Sequence, residues 1–490
     1  MKKVAVFLFL ALFTDTLLQG ETLFIKFHDE FRRFVLSDFS DCSIYGYYEI
    51  PRSSFWGIET KDAEVSKRCF LKNSYIKKIE KDSYIDIEYK NGGRDPLIDN
   101  QWHLRNTGQT GIAGEDSSVI EAWKYLEEMG LSPGKDAVVG IIDDAFDLHH
   151  PDMEGKFLRG LDLVDGTEYP FIKEREPHGT CVAGIVAAVY NNGIGVSGAC
   201  PGCYIVPIRA AQHLGRTRNM VRAFNYLLDR GVHIISNSWG PSDRSGPVDM
   251  PEVLKEIINY ARHEERDGKG VMIFFAAGNG NESISDPESY DGFAANPDVI
   301  SVGAVNASGI RSAYSDFGED LDFVAPSSDI SDGFYWDPYV PDSTEDGIWT
   351  TDARAFMGYT QGDYMASFGG TSSSAPLAAS VAALLISAYP DLTWDEAYSI
   401  LKRSADKVSP IDADYDENGH SIYYGYGRVN ALEAVKLLCE EKKCKGGLPE
   451  IDEYTYPAYP DEYKKEKSDI EYPDETMVPE KVSGCTITVF

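Results

Sequence analysis

Apolar runs with the length of buried strands occur at Ala137–Ile142, Tyr204–Ile208, Val232–Ser236, Val271–Ala276 and Val299–Val302. Helical spacing of apolar residues marks Thr180–Tyr190, Asn219–Leu228, Pro251–Arg262 and Pro376–Tyr389. Strands that are apolar throughout, not alternating, are buried on both faces, and helices between them supply the cover. The pattern predicts an α/β domain: a mostly parallel central sheet between two helical layers. In such folds chemistry gathers where strands end and helices begin.

The two ends of the chain read differently. Two lysines precede the apolar run Val4–Phe13, which then breaks into polar and small residues, the layout of a secretory signal peptide over 1–20. Residues 21–94 have the size of a small folding module and carry strand-like alternation at Tyr84–Tyr89. Their place between a signal and a large α/β domain predicts a removable propeptide, cut near Tyr89 or after Arg94. Residues 95–440 form the main domain. Beyond Cys444 the chain turns to Pro, Tyr, Glu, Asp and Lys, so 445–490 read as an acidic disordered tail. No stretch after the signal is expected to be apolar for long enough to cross a membrane.

Charge narrows the partners. With 79 acidic residues against 46 Lys and Arg, the formal net charge is -33, and nucleic acid is excluded as a partner by repulsion. Eight cysteines, an even number, fit an exported chain in an oxidising compartment, with connectivity left open. Cys200-x-x-Cys203 has no second pair to complete a zinc site, leaving a local disulfide or two thiols.

Four local segments carry chemistry. Val138–Asp144 is an apolar strand ending in paired carboxylates, Asp143 and Asp144. His178-Gly179-Thr180 opens a helix of small residues, and Gly370-Thr371-Ser372 opens another, placing Ser372 near the positive end of a helix dipole. Val271–Asn279 is a strand ending in an amide that suits an oxyanion donor beside the Ser372 N–H. Hydrolysis of a peptide needs a nucleophile, a base, an acid that orients the base, and oxyanion donors. The order Asp143, His178, Ser372 is one of the known orders of a serine-protease triad.

On these motifs the region from Asp95 to Leu438 resembles the subtilases. Ser236–Pro241 is similar to their substrate-binding strand, with Ser238, Trp239 and Gly240 in contact with substrate, and Tyr424–Ala431 to the segment that closes their catalytic domain. Lys78–Asp82 is similar to the last strand of their inhibitory propeptide. The kexin and furin branch is the nearer likeness, through Asp95-Pro96-Leu97, Gln101–Leu104, Asp143-Asp144 and Ser238–Pro241. The resemblance implies a subtilisin-like three-layer fold, an acyl-enzyme mechanism, and Asp144, Asp243 and Asp291 lining pockets for basic side chains. It departs at Ala145, where the branch has Gly, at Ser242 and Arg244, which flank Asp243 where the branch is more acidic, and after Leu438, where no length remains for the branch's β-rich domain.

The same resemblance implies structural calcium, held by Asp152, Asn192, the carbonyls of Val189, Ile194 and Val196, and Asp95 as a further ligand; oxygen donors of this kind suit a hard cation. Asn281 and Asn306 lie in Asn-x-Ser sequons, the first too close to Asn279 to carry a glycan comfortably. The expectation is a serine endopeptidase of the secretory route or the extracellular space, held by its own propeptide and processing proteins after basic residues. A broad degradative protease and a catalytically dead scaffold are its rivals.

Overall fold

The computed structural model describes residues 21–27, 42, 44–49, 55–60, 63–72, 76–81, 93–329, 347–409 and 413–451. The signal-like run, the strand expected at Tyr84–Tyr89 and the tail from 452 onward lie outside them.

The chain divides into two units, 1–89 and 90–490. In the first, β1 (Glu21–Phe27), β2 (Ile44–Glu49), β3 (Phe55–Thr60) and β4 (Ile76–Lys81) pair antiparallel in the order β2-β3-β1-β4. Helix α1 (Ala63–Phe70) carries buried Phe70, and the disulfide Cys42–Cys69 ties this helix to the chain before β2. The architecture is a small α+β module.

The second unit contains a seven-stranded sheet of β5 (Val138–Asp143), β6 (Leu161–Asp162), β7 (Tyr204–Arg209), β8 (Ile234–Asn237), β9 (Met272–Ala276), β10 (Ile300–Val305) and β11 (Phe323–Pro326), in the order β11-β10-β9-β8-β5-β7-β6. Neighbouring strands run parallel. One face is covered by α2 (Val119–Glu128), α3 (His178–Ala187), α7 (Thr371–Ala388), α8 (Trp394–Ser404) and α9 (Ala431–Lys442). The other is covered by α4 (Thr217–Asp229) and α5 (Glu252–His263), the latter followed by a turn (α6, Glu265–Gly268) in which Arg266 and Asp267 take left-handed backbone angles. Successive residues of β5 alternate between these layers: Val139 and Ile141 join the first, Val138 and Ile142 the second. The sheet order reverses at β5, so its carboxyl end opens onto the crevice where parallel sheets place their sites.

Each of the five strands expected in the α/β domain is present within a few residues, and α3 begins at His178, two residues before the apolar spacing starts. A short ribbon, β12 (Ile348–Thr351) with β13 (Tyr364–Phe368), lies on α3. The Thr350 and Thr351 hydroxyls donate to the carbonyls of Cys181 and Thr180, each at 2.7 Å. That contact leaves no room at position 184 for a side chain, since a Cβ there would meet Thr351 Oγ1 at 2.2 Å.

One expectation changes. Helix α7 has the length and composition to cross a membrane, although no such stretch is expected after the signal; all of it is buried inside the domain, so its apolar character serves the core. Cys200–Cys203 and Cys439–Cys444 are disulfides, and Cys181 is buried within α3.

Candidate active site

Asp143 is the last residue of β5 and fully buried; its Oδ1 lies 2.7 Å from His178 Nδ1 and also accepts the Asp144 N–H at 2.7 Å. His178 is 4% exposed, with its ring 5.4 Å from that of Phe368 at the end of β13. One imidazole nitrogen is thereby committed to a carboxylate, which leaves the other to act on a partner. Asp144 points elsewhere. Its carboxylate accepts the backbone N–H groups of His178 at 3.0 Å, Gly179 at 2.7 Å and Ala145 at 2.5 Å. It therefore satisfies donors that the start of α3 leaves open, which explains why the helix begins at the histidine. Burial, with the charge of Asp143 beside it, pushes Asp144 up to about 7. Ala145, the departure from the kexin and furin branch's glycine, is buried without a positive φ and packs with Ile172, Ala353 and Met357, so alanine fits there without strain.

The segment before His178 is fixed to the sheet. Buried Arg209, opposite Asp143 in the β5–β7 register, donates to Glu176 through Nη2 at 2.7 Å and to Asp162 through Nη1 at 3.2 Å. Nothing local in the sequence marked Glu176, Arg209 or Asp162, because their pairing joins residues far apart in the chain.

Ser372 is the second residue of α7. Pro376, four residues on, has no N–H to offer the Ser372 carbonyl. Ser238 Oγ donates to that carbonyl instead, at 3.0 Å, and Ser372 Oγ lies 3.4 Å from the Ser238 carbonyl. The proline thus frees a backbone acceptor that binds the end of β8 to the nucleophile's own turn. Asn279 follows β9. Its Oδ1 accepts from Thr371 N at 2.8 Å and Thr371 Oγ1 at 3.1 Å, which turns Nδ2 outward. A Cβ on Gly370, whose φ is +73°, would lie 3.3 Å from Asn279 Oδ1 and 3.6 Å from both Asn279 Nδ2 and Ser372 N, so these two donors lie beside one another next to Gly370. An oxyanion needs two such neighbouring donors.

Beside Ser372 is a pocket whose lining includes Ser238, Trp239, Gly240, Asp243 and Asp291, while Asp144 is not among its lining residues. Trp239 packs edge-on against Phe275 and Phe293. Asp243 Oδ1 accepts the Asn279 N–H at 3.1 Å, linking pocket and oxyanion donor. Asp291 Oδ1 accepts from Phe293 N at 2.8 Å and Ala294 N at 3.2 Å, and its Oδ2 lies 3.5 Å from where a side chain on Gly240 would begin. Two further acids, Glu282 and Asp316, also line the pocket. Sequence reasoning missed them; the sole trace of Asp316 is Gly278, where a Cβ would strike its Oδ2 at 2.1 Å. Burial pushes Asp291 up to about 6, with the charge of Asp243 adding to it, and holds Asp243 above its ordinary value and Asp316 well above it.

A separate loop gathers the expected calcium donors. Asp152 Oδ1 accepts from Asn192 Nδ2 and Oδ2 from Val196 N, both at 2.8 Å, and the Tyr364 hydroxyl hydrogen-bonds it as well. Burial pushes Asp152 up to about 6. The carbonyls of Val189, Ile194 and Val196 accept no hydrogen bond from the described residues. Asp95 accepts from Asn191 N, Gly193 N and Ser197 Oγ, which fastens it to the same loop beside the other expected donors. Among the described residues no three His, Cys, Asp or Glu side chains cluster as a metal site. A cation here would take mainly amide and carbonyl oxygens, a donor set that fits calcium. The two sequon asparagines are both engaged: Asn281 Oδ1 accepts from Arg311, and Asn306 Nδ2 donates to Asp329.

A profile of the subtilase family matches residues 134–427. The chain is 39% identical over 362 residues to a calcium-dependent protease of Trichormus variabilis, covering 69% of this chain and 51% of that protein. It is 28% identical to the PC3-like endoprotease variant B of Hydra vulgaris, covering 82% and 56% of the two, and 29% identical to neuroendocrine convertase 2 of Bos taurus, covering 78% and 59%. The chain thus spans about half the length of the curated relatives it matches. Among solved structures, the serine protease of Aeromonas sobria superposes with a TM-score of 0.60 at 24% identity over 75% of this chain and 72% of that one, a likeness of fold alone. With a catalytic-type Asp143–His178 pair, a serine at a helix start, and a family match across most of the α/β domain, the chain belongs to the subtilase family of serine proteases.

Proposed function

We propose that this chain is a serine endopeptidase that cleaves after basic residues. The observation that carries the reading is the buried Asp143–His178 contact at 2.7 Å, at the same sheet end as Ser372 and Asn279. His178 takes the Ser372 hydroxyl proton as Oγ attacks the scissile carbonyl, Asp143 holds the imidazole tautomer, and the Asn279 and Ser372 donors stabilise the oxyanion. The imidazolium returns the proton to the leaving amine, and water then releases the acyl group by the same route.

Basic preference rests on the pocket carboxylates. Burial makes their charged forms costly, and an entering Lys or Arg side chain relieves that cost, whereas an apolar side chain leaves it standing. Calcium, when bound, would stabilise the loop through Asp152, Asn192 and the carbonyls of Val189, Ile194 and Val196. The small α+β module serves as the inhibitory propeptide, and the apolar start directs the chain to the secretory route. Peptides differing only at P1 test this reading: cleavage after Arg or Lys is expected, abolished in Ser372→Ala, and equal cleavage after Leu would favour the broad degradative rival.

A further inference from the structure

Thirteen of the sixteen arginines between residues 93 and 451 have a partner: an ion pair for most, carbonyls for Arg175 and Arg266, an asparagine for Arg311. The exceptions fall together. Arg216, Arg218 and Arg222 are all exposed, and none makes an ion pair or side-chain hydrogen bond with the described residues. In a chain of net charge -33, with carboxylates abundant, three neighbouring arginines without an ion pair among the described residues run against the electrostatics of the rest of the surface. They also occupy the entry to α4, whose first turn holds no acidic residue and has no side-chain cap, so the helix dipole opposes them. Helix stability does not account for them.

Their position suggests what does. Arg209 ends β7 opposite Asp143, and the Ala210 N–H bonds to the Asp143 carbonyl at 2.8 Å. The chain then makes a single 3-10 turn, Ala211–Gly215, and enters α4, whose Asn219 Nδ2 is tied back to the His213 carbonyl at 2.8 Å. A link this compact keeps the arginines roughly 10–20 Å from the triad aspartate, on the same carboxyl edge of the sheet. An extended peptide advances about 3.3 Å per residue, so a reach of this size from the active-site end of the sheet corresponds to about three to six residues of a bound peptide.

We propose that Arg216, Arg218 and Arg222 form a recognition surface for acidic side chains of the substrate, carboxylate or phosphorylated, placed three to six residues from the cleavage point. The cleft is then charged oppositely at its two stations: carboxylates around Asp291 take a basic residue at the bond, and arginines take acidic residues some way along. The inference rests on the endopeptidase reading above and narrows it to substrates of mixed charge. Arginine suits the task, since its planar fork binds carboxylate and phosphate in two-pronged fashion.

The test uses the full chain, processed as it is produced, and peptides with Arg at P1 that carry either Glu or Gln at positions three to six on one side of the bond and then on the other. Wild type is expected to show about tenfold higher kcat/KM for the Glu peptide on one side. The advantage should shrink to about twofold or less in the Arg216→Gln/Arg218→Gln/Arg222→Gln variant and fall in 0.5 M salt, with cleavage of the Gln peptide unchanged. Binding of the same fluorescent peptides to Ser372→Ala reads the surface without catalysis, so failure of the protease reading and failure of this one are distinguishable. Equal affinity and equal kcat/KM for Glu and Gln peptides would overturn the proposal. So would a Glu preference that emerges only when residues 452–490 are removed, which would make the acidic end of the chain the occupant.

Discussion

Two groups of buried carboxylates sit in one domain and meet different partners. Around the active site, Asp143 faces an imidazole, and Asp291 keeps an oxygen turned toward an open pocket. In the loop near Val189–Val196, the carboxylates of Asp95 and Asp152 are filled mainly by that loop's own N–H, hydroxyl and amide donors. On the proposed function the first group, besides holding some backbone, would meet partners that come, go or change charge, whereas the second holds one loop in place. The same residue type would then serve turnover in one region and stability in the other.

The largest effect should come from Asp143→Asn. It is expected to lower kcat by about 10⁴-fold by favouring the wrong imidazole tautomer, with little change in melting temperature. A comparable loss of stability would erase the distinction between the two regions. Next, Asp291→Asn should cost about 10- to 100-fold in preference for P1 Arg over Leu, measured as a ratio of kcat/KM values. Because burial raises Asp291 to about 6 and a bound cation favours its ionised form, the preference for Arg should be full above that pH and fade as pH falls through it. A pH-independent ratio would remove Asp291 from the recognition of charge. Asp152→Asn is the smallest, lowering the melting temperature by roughly 2–5 °C and weakening protection by added calcium, with kcat of the folded protein little changed.

Much of this was legible in the sequence, for reasons that differ by residue. Strands β5, β7, β8, β9 and β10 announce themselves because both faces are buried, which makes the runs apolar throughout. Strand β6 does not, being two residues long with a buried Asp162 paired to Arg209 across the sheet. The ribbon of β12 and β13 hides behind threonines that serve α3 through their hydroxyls. Asp143, His178, Ser372 and Asn279 were readable because each ends a strand or opens a helix in a fixed chain order. The role of Asp144 at the start of α3 was not, since it requires knowing that two segments more than thirty residues apart converge. Asp316 and Glu282 stayed hidden for the same reason, their sole local marks being glycines that make room.

The most direct test of the catalytic assignment is covalent labelling of the purified, folded protein with a fluorophosphonate, followed by peptide mapping. The assignment predicts one adduct, on Ser372, that disappears in Ser372→Ala and forms far more slowly in His178→Ala. A folded wild-type protein that stays unlabelled at Ser372, or labels there equally fast without His178, would contradict it.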